Sequence, residues 1–281
     1  MTNEHPQTAT QPAASAHTPA ASPNPAALRE LLLALADDEF IFGFANSEWT
    51  GIAPVLEEDI AFSSLAQDEL GHARALYELA AALSGTTADA LAYGRPPEGF
   101  RCAQLVERPR GDWAYSVMRQ FLYDTADAVR LHSLRASSYA PLAQTVAGIV
   151  REEKYHLLHG QTWLARLAEG GTEARARQAA AFDALWADAL ALFEPVEGED
   201  LLLAAGVLAE PWAALQQRWI GQLEEPLRRY GLPFPFEEQG ALWHPLVAPA
   251  YGGRRGLRSP SFQPLYDTIT SVYRIDPGAQ W

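Results

Sequence analysis

Two segments of this 281-residue chain carry the same local pattern, an acidic pair whose second member is followed at i+3 by histidine. They read Gln67-Asp68-Glu69-Leu70-Gly71-His72 and Arg151-Glu152-Glu153-Lys154-Tyr155-His156. On a helix, residues i and i+3 share a face about one turn apart. Glu69 with His72, and Glu153 with His156, can thus each aim a carboxylate and an imidazole at one cation. One such pair is ordinary on a solvated helix. The constraint comes from duplication and from what lies upstream. Counting back 30 residues from Glu69 gives Glu39, and counting back 29 from Glu153 gives Asp124. In an antiparallel helix pair, residues equidistant from the turn lie level. Glu39 and Glu69 are centred on Pro54, and Asp124 and Glu153 between Ser138 and Tyr139, both in turn-forming sequence. Two hairpins therefore bring a carboxylate and a Glu-x-x-His to similar depth.

Ferritin-like bundles hold di-iron or di-manganese centres by this arrangement. The expected fold class is accordingly all-α: a ferritin-like four-helix bundle with additional C-terminal helices. The apolar periodicity predicts helices over about 26–47, 56–83, 112–137 and 141–168, then 172–193, 200–230 and a short one over 261–274. Pro211 should kink or split the helix that contains it. The Pro-, Gly- and Arg-rich stretch 95–111 reads as a connection and 231–258 as a loop, with no strand alternation in the chain. Residues 1–25, mostly Ala, Pro, Thr and Ser, read as a disordered tail ahead of a single domain over 26–281.

Four carboxylates converging in a helical core are untenable without cations to neutralise them, because isolated buried charges cost several kcal/mol each. Glu39 lies in Asp-Glu-Phe-Ile-Phe-Gly-Phe, and Asp124 follows Phe121, Leu122 and Tyr123. Asp37, Asp38 and Asp127 compete for those two places, and spacing favours Glu39 and Asp124. The expected metal ligands are Glu39, Glu69, His72, Asp124, Glu153 and His156. Four carboxylates and two imidazoles suit iron or manganese better than zinc or copper, and open positions between two such metals can bind dioxygen. Asp68 and Glu152 are placed to reach across to the opposite helix and accept the outer ring N–H of a liganding histidine. His132 and His159 fall off this spacing and read as surface or structural groups. Phe42, Phe44, Phe121, Tyr123 and Tyr155 suit a pocket for an aromatic group, although such stripes in bundles are usually core. Arg254, Arg255 and Arg258, in a Gly-rich loop, suit a phosphate or a partner's acidic surface, and a solvated loop suits them equally.

The remaining composition narrows the function. The one cysteine, Cys102, allows neither an internal disulfide nor a thiolate cluster. A net charge of −14 leaves no broad basic face for nucleic acid or an anionic membrane. Apolar runs fall far short of the ~20 residues of a membrane span, so a cytoplasmic location is expected.

Several stretches carry a family resemblance. They are Ser47-Glu-Trp-Thr-Gly-Ile-Ala-Pro-Val-Leu-Glu-Glu-Asp-Ile-Ala61, Arg119-Gln-Phe-Leu-Tyr-Asp124, Glu153-Lys-Tyr-His156 leading to Trp163-Leu-Ala-Arg-Leu167, Gly252-Gly-Arg-Arg-Gly-Leu257 and the ending Pro277-Gly-Ala-Gln-Trp281. In this order they resemble the C-type chains of the phenylacetyl-CoA epoxidase (phenylacetate-CoA oxygenase) family. The resemblance implies a ferritin-like subunit of a cytoplasmic multicomponent monooxygenase that epoxidises the ring of phenylacetyl-CoA. It implies a related A-type catalytic subunit that holds the di-iron centre, and a separate reductase supplying electrons from NADPH. It also implies that a C-type chain is a structural partner with decayed ligand positions. Here the six positions keep the ligand pattern of the A type, so metal binding is a firmer expectation than catalysis. Two alternatives stay open: an independent di-metal oxidase or oxygenase on another substrate, and a non-catalytic metal-binding structural partner. The roughly 110 residues beyond a four-helix bundle argue against metal storage.

Overall fold

Residue 24 shows how closely local sequence dictates the first element. Asn24 accepts the N–H groups of Ala26 and Ala27 at 3.0 and 3.1 Å, and Pro25 occupies the first helical position, where its missing N–H costs nothing. The computed structural model describes residues 22–279, and residues 1–21 of the expected tail lie outside the described residues. Helix α1 runs Pro25–Ser47 and turns back through 48–55 into α2, Leu56–Ser84, which Gly85 ends in the left-handed conformation. A short α3 (Ala88–Tyr93) and a crossing segment lead to α4 (Trp113–Leu134), capped by the Asp112 side chain, and then to α5 (Ala140–Glu169). The two turns fall at the positions around which the acidic residues are symmetric.

Helices α1 with α2, and α4 with α5, form two hairpins, and α2 against α5 joins them. The chain adopts the all-α ferritin-like fold. Its helices are not equivalent. Of the 23 residues of α1, 17 are buried, as are 17 of the 22 in α4. Only 11 of 29 in α2 and 7 of 30 in α5 are buried. A helix buried around most of its circumference is an inner element, whereas a half-buried one faces solvent.

The C-terminal helices supply the cover that makes α4 an inner helix. Helices α6 (Thr172–Leu190) and α8 (Trp212–Arg229) pack on α4, and α7 (Glu199–Ala204) packs on α1. Phe182, Trp186 and Trp219 stack in succession, with centroids 4.9 and 5.5 Å apart, and the Trp219 indole N–H donates to Thr125 on α4 at 3.0 Å. The helix expected over 200–230 is two helices. Pro211 provides the extended residue that starts α8, as its fixed φ and missing N–H allow.

One expectation fails. Within the segment read as loop, Phe236–Gln239 (β1) pairs antiparallel with Leu242–Pro245 (β2), Phe236 opposite Pro245. Gly240, at φ 68°, makes the reversal. The hairpin is held from outside, since Gln217 of α8 bonds both the N–H and the carbonyl of Trp243 at 2.8 Å. The last helix, α9, is Phe262–Thr270, shorter than its pattern suggested. No helix among the described residues is long and apolar enough to cross a membrane.

Candidate metal centre

Each of the four bundle helices delivers an acid to the same level. Glu39 comes from α1, Glu69 and His72 from α2, Asp124 from α4, and Glu153 and His156 from α5. All six are buried, with 0–4% of their surface exposed. One ligand-type atom from each of Glu39, Glu69, His72 and Glu153 lies within 4.8 Å of the others, and so do atoms of Glu69, Asp124 and His156. His72 Nδ1 is 3.5 Å from Glu39, 3.8 Å from Glu69 and 3.3 Å from Glu153. His156 Nδ1 is 3.5 Å from Glu69 and 3.1 Å from Glu153. Glu69 and Glu153 thus approach both imidazoles, as carboxylates shared between two cations must. The rings lie 6.0 Å apart between centroids.

Two glycines permit this convergence. A Cβ on Gly43, one turn past Glu39, would stand 3.0 Å from the Ala66 carbonyl and 3.1 Å from Glu69 Cβ. One on Gly160, one turn past His156, would stand 3.3 Å from Phe121 Cα. Each hairpin is therefore drawn tight beside its own acids.

Eight atoms of the six residues have no hydrogen-bond partner: Glu39 Oε2, both carboxylate oxygens of Glu69 and of Glu153, Asp124 Oδ2, and Nδ1 of each histidine. Unpaired buried polar atoms are rare because each costs about 1–3 kcal/mol, more if charged, and eight gathered in one cluster of carboxylates and imidazoles fit a donor set for cations. The electrostatics agree. Burial, and then the carboxylate of Glu69, push Glu39 well above the usual range, and burial with Glu153 does the same to Asp124. Burial works against a charged His156, yet Glu153 and Glu69 outweigh it and the group is pushed up to about 12. His72 rises for the same reasons, through Glu153, Glu39 and Glu69.

The outer ring nitrogens behave differently. His72 Nε2 meets Glu152 of α5 at 2.8 Å, and His156 Nε2 meets Asp68 of α2 at 3.3 Å. The two acids cross reciprocally between helices, each supporting the opposite histidine and leaving its Nδ1 facing inward. His132 is exposed, and His159 bonds Glu58 at 2.7 Å, outside the cluster.

The competing acids have other partners. Arg95 and the Arg101 N–H hold Asp37. Asp38 accepts from the Ala103 N–H at 2.8 Å, from Arg130 at 2.7 Å, and from both Arg254 nitrogens at 2.8 and 2.7 Å. Burial opposes its charge, but Arg254 and Arg130 overcome that and hold its carboxyl below the usual range. This corrects the reading of the Gly-rich loop as a phosphate or partner contact. Arg254 is buried against Asp38, and Arg258 is bound to Glu107 and Cys102, so neither is available to a ligand. Of the three, Arg255 alone is well exposed, near Glu194. Of the aromatics, Phe42, Phe121 and Tyr123 are core, whereas Tyr155 is exposed.

Two supporting residues were missed. Gln120 donates to Asp124 at 2.6 Å and accepts from Asn46 at 2.7 Å, and so orients the acid. It lies four residues before Asp124, and that spacing was a usable signal. Asn46, on another helix, left none. Asp127, the third competing acid, is bound by Arg130 at 2.7 Å and keeps one bare oxygen, and burial raises it to about 7 against the pull of Arg130.

Comparison with known proteins places the chain. The family profile described as Phenylacetic acid catabolic protein matches residues 7–281. The chain belongs to this family. Among relatives in the family, the C-type component of the 1,2-phenylacetyl-CoA epoxidase of Escherichia coli (strain K12) is 30% identical over 250 residues, 89% of this chain and 97% of that component. The A-type component of the epoxidase from the same organism is 27% identical over 161 residues, 57% of this chain and 52% of its own length.

Proposed function

We propose that this chain is the C-type component of a multicomponent phenylacetyl-CoA epoxidase and that it carries a two-metal site of its own. The likeness to the Escherichia coli C-type component over almost its whole length supports the first part. The eight unpartnered buried atoms support the second. Glu39, Glu69, His72 and Glu153 would hold one metal, and Asp124, His156 and the shared Glu69 and Glu153 the other. Four carboxylates balance two divalent cations, and the oxygen-rich donor set suits iron or manganese. When bound, such a pair would supply dioxygen activation. The chain's own residues bind and orient. Glu152 and Asp68 fix the two rings with Nδ1 inward, Gln120 fixes Asp124, and the packed aromatic core around α4 excludes water. The partners in this reading are an A-type component and a reductase drawing on NADPH, with phenylacetyl-CoA as the substrate of the complex.

A second reading keeps the metals without catalysis in this chain. The reach of Asp68 and Glu152 across to the opposite histidines supports metal binding whichever component does the chemistry. Metal analysis of protein purified without chelators, with anaerobic Fe(II) loading, tests the site. The wild type should hold two ions, and Glu69→Ala and His156→Ala should lose them; a wild type that takes up none refutes it. Co-purification with an A-type component tests the assembly. Full activity of that assembly with both variants would leave this chain a structural role.

A further inference from the structure

The cluster is screened unevenly from solvent. On the α1 and α4 sides it lies behind helices that are themselves covered. On the α2 and α5 side a groove of about 420 Å³ runs between the two helices. It exists because side chains are missing: a Cβ on Gly71 would meet nothing within 4 Å, and one on Gly148 only the tip of Arg151 at 4.0 Å. Its lining includes the acids Asp68 and Glu152, with 41% and 57% of their side chains exposed, against one guanidinium, Arg151, at the Gly148 edge. His72 forms part of it, with Nε2 on Glu152 and the opposite nitrogen, Nδ1, within 3.3–3.8 Å of three buried carboxylates. One imidazole ring therefore separates the groove from the unpartnered atoms.

We propose that this groove is the loading port through which divalent cations reach the cluster, with Asp68 and Glu152 as its capture residues. The inference rests on the two-metal reading above. A negatively lined cleft on a chain of net charge −14 concentrates cations at its mouth. Rotation of the Glu152 carboxylate and the His72 ring about their own side-chain bonds opens the partition without backbone movement. The acids that orient the histidines from outside thereby also deliver the ion, which explains why they are half exposed while the atoms they serve are not.

The test is Co(II) uptake by chelator-stripped protein, followed through the visible absorption of the bound ion in a stopped-flow instrument. Replacing both groove glycines, Gly71→Leu with Gly148→Leu, fills the cleft and improves helix propensity. Uptake should slow by about tenfold or more with two ions still bound at unchanged final affinity, so that release slows by the same factor. In Asp68→Asn with Glu152→Gln, the rate should lose most of its dependence on ionic strength. Parental uptake rates in the plugged protein would overturn the port. So would slow uptake matched by weaker final binding, which would put the effect on the ligands. A parent protein that binds no Co(II) would instead remove the two-metal reading, and the port with it. If circular dichroism shows the leucine pair to be misfolded, Gly71→Ala with Gly148→Ala carries the same test with a smaller expected slowing.

Discussion

Asp37, Asp38 and Glu39 are consecutive on α1 and almost wholly buried, yet the fold treats them in opposite ways. Each helical step turns a side chain by about 100°, so neighbours face different surroundings. The two aspartates meet arginines and backbone N–H groups brought from the 95–103 crossing, α4 and the loop at Arg254. Glu39 meets Glu69, His72 and, among the described residues, no arginine. Burying an ion costs several kcal/mol unless a counter-charge is present. At Asp37 and Asp38 the chain supplies that charge itself, and at Glu39 burial and Glu69 raise the pKa instead. Burial of an acid therefore does not by itself mark a metal ligand. A buried acid without a resident cation is the candidate for one.

The largest expected effect sharpens this contrast. With free Fe(II) or Mn(II) about a thousandfold above Kd, each occupied site should add about 4 kcal/mol of stability. Urea unfolding with metal and with chelator should then differ by several kcal/mol, and coincident curves would show the two acid groups to be alike. Next, Asp38→Ala strands Arg254 in the core and should cost about 3–5 kcal/mol, equally with and without metal. A loss that appears only in the loaded protein would make Asp38 part of the cluster. Glu39→Gln should act with the opposite sign, stabilising chelated protein by about 1–2 kcal/mol while removing most of the gain from metal.

The same contrast can be tested by pH. Glu39, Asp124 and His156 all have raised pKa values in the folded chain, so the folded state holds protons that the unfolded state releases. Their stabilising protonation is complete below the unfolded values, near 4 for the acids and 6.5 for the histidine, and is lost as pH rises towards the folded ones. Chelated protein should melt lower at pH 8 than at pH 6, at up to about 1.4 kcal/mol per unit and per proton. Loaded protein should show the reverse, because protons compete with metal. A chelated protein that gains stability over that range would contradict the raised values.

How much of this was legible follows from the range of each interaction. The helices and their turns are written in apolar periodicity, Gly85 and Pro211, because helix formation depends on residues within a few positions. The crossing of Asp68 and Glu152 was legible too, once two antiparallel hairpins were assumed. The β1–β2 hairpin was not, since Pro235, Gly240 and Pro245 read as loop and Gln217 of another helix steadies the pair. Nor was the fate of Arg254. A Gly-rich arginine loop reads as a ligand contact, while its actual partner, Asp38, lies 216 residues away.

Sequence by itself determined the bundle, the level of its four acids and the pairing of each histidine with a glutamate, because i+3 spacing and symmetry about a turn are geometric consequences of the helix. The tertiary structure alone decided which buried acids have a counter-charge. Arginines delivered from distant segments sit on Asp37 and Asp38, while Gly43 draws one hairpin tight beside Glu69 and Gly160 draws the other tight beside Asp124. No local pattern encodes that difference, since it depends on what the rest of the chain places within hydrogen-bonding distance.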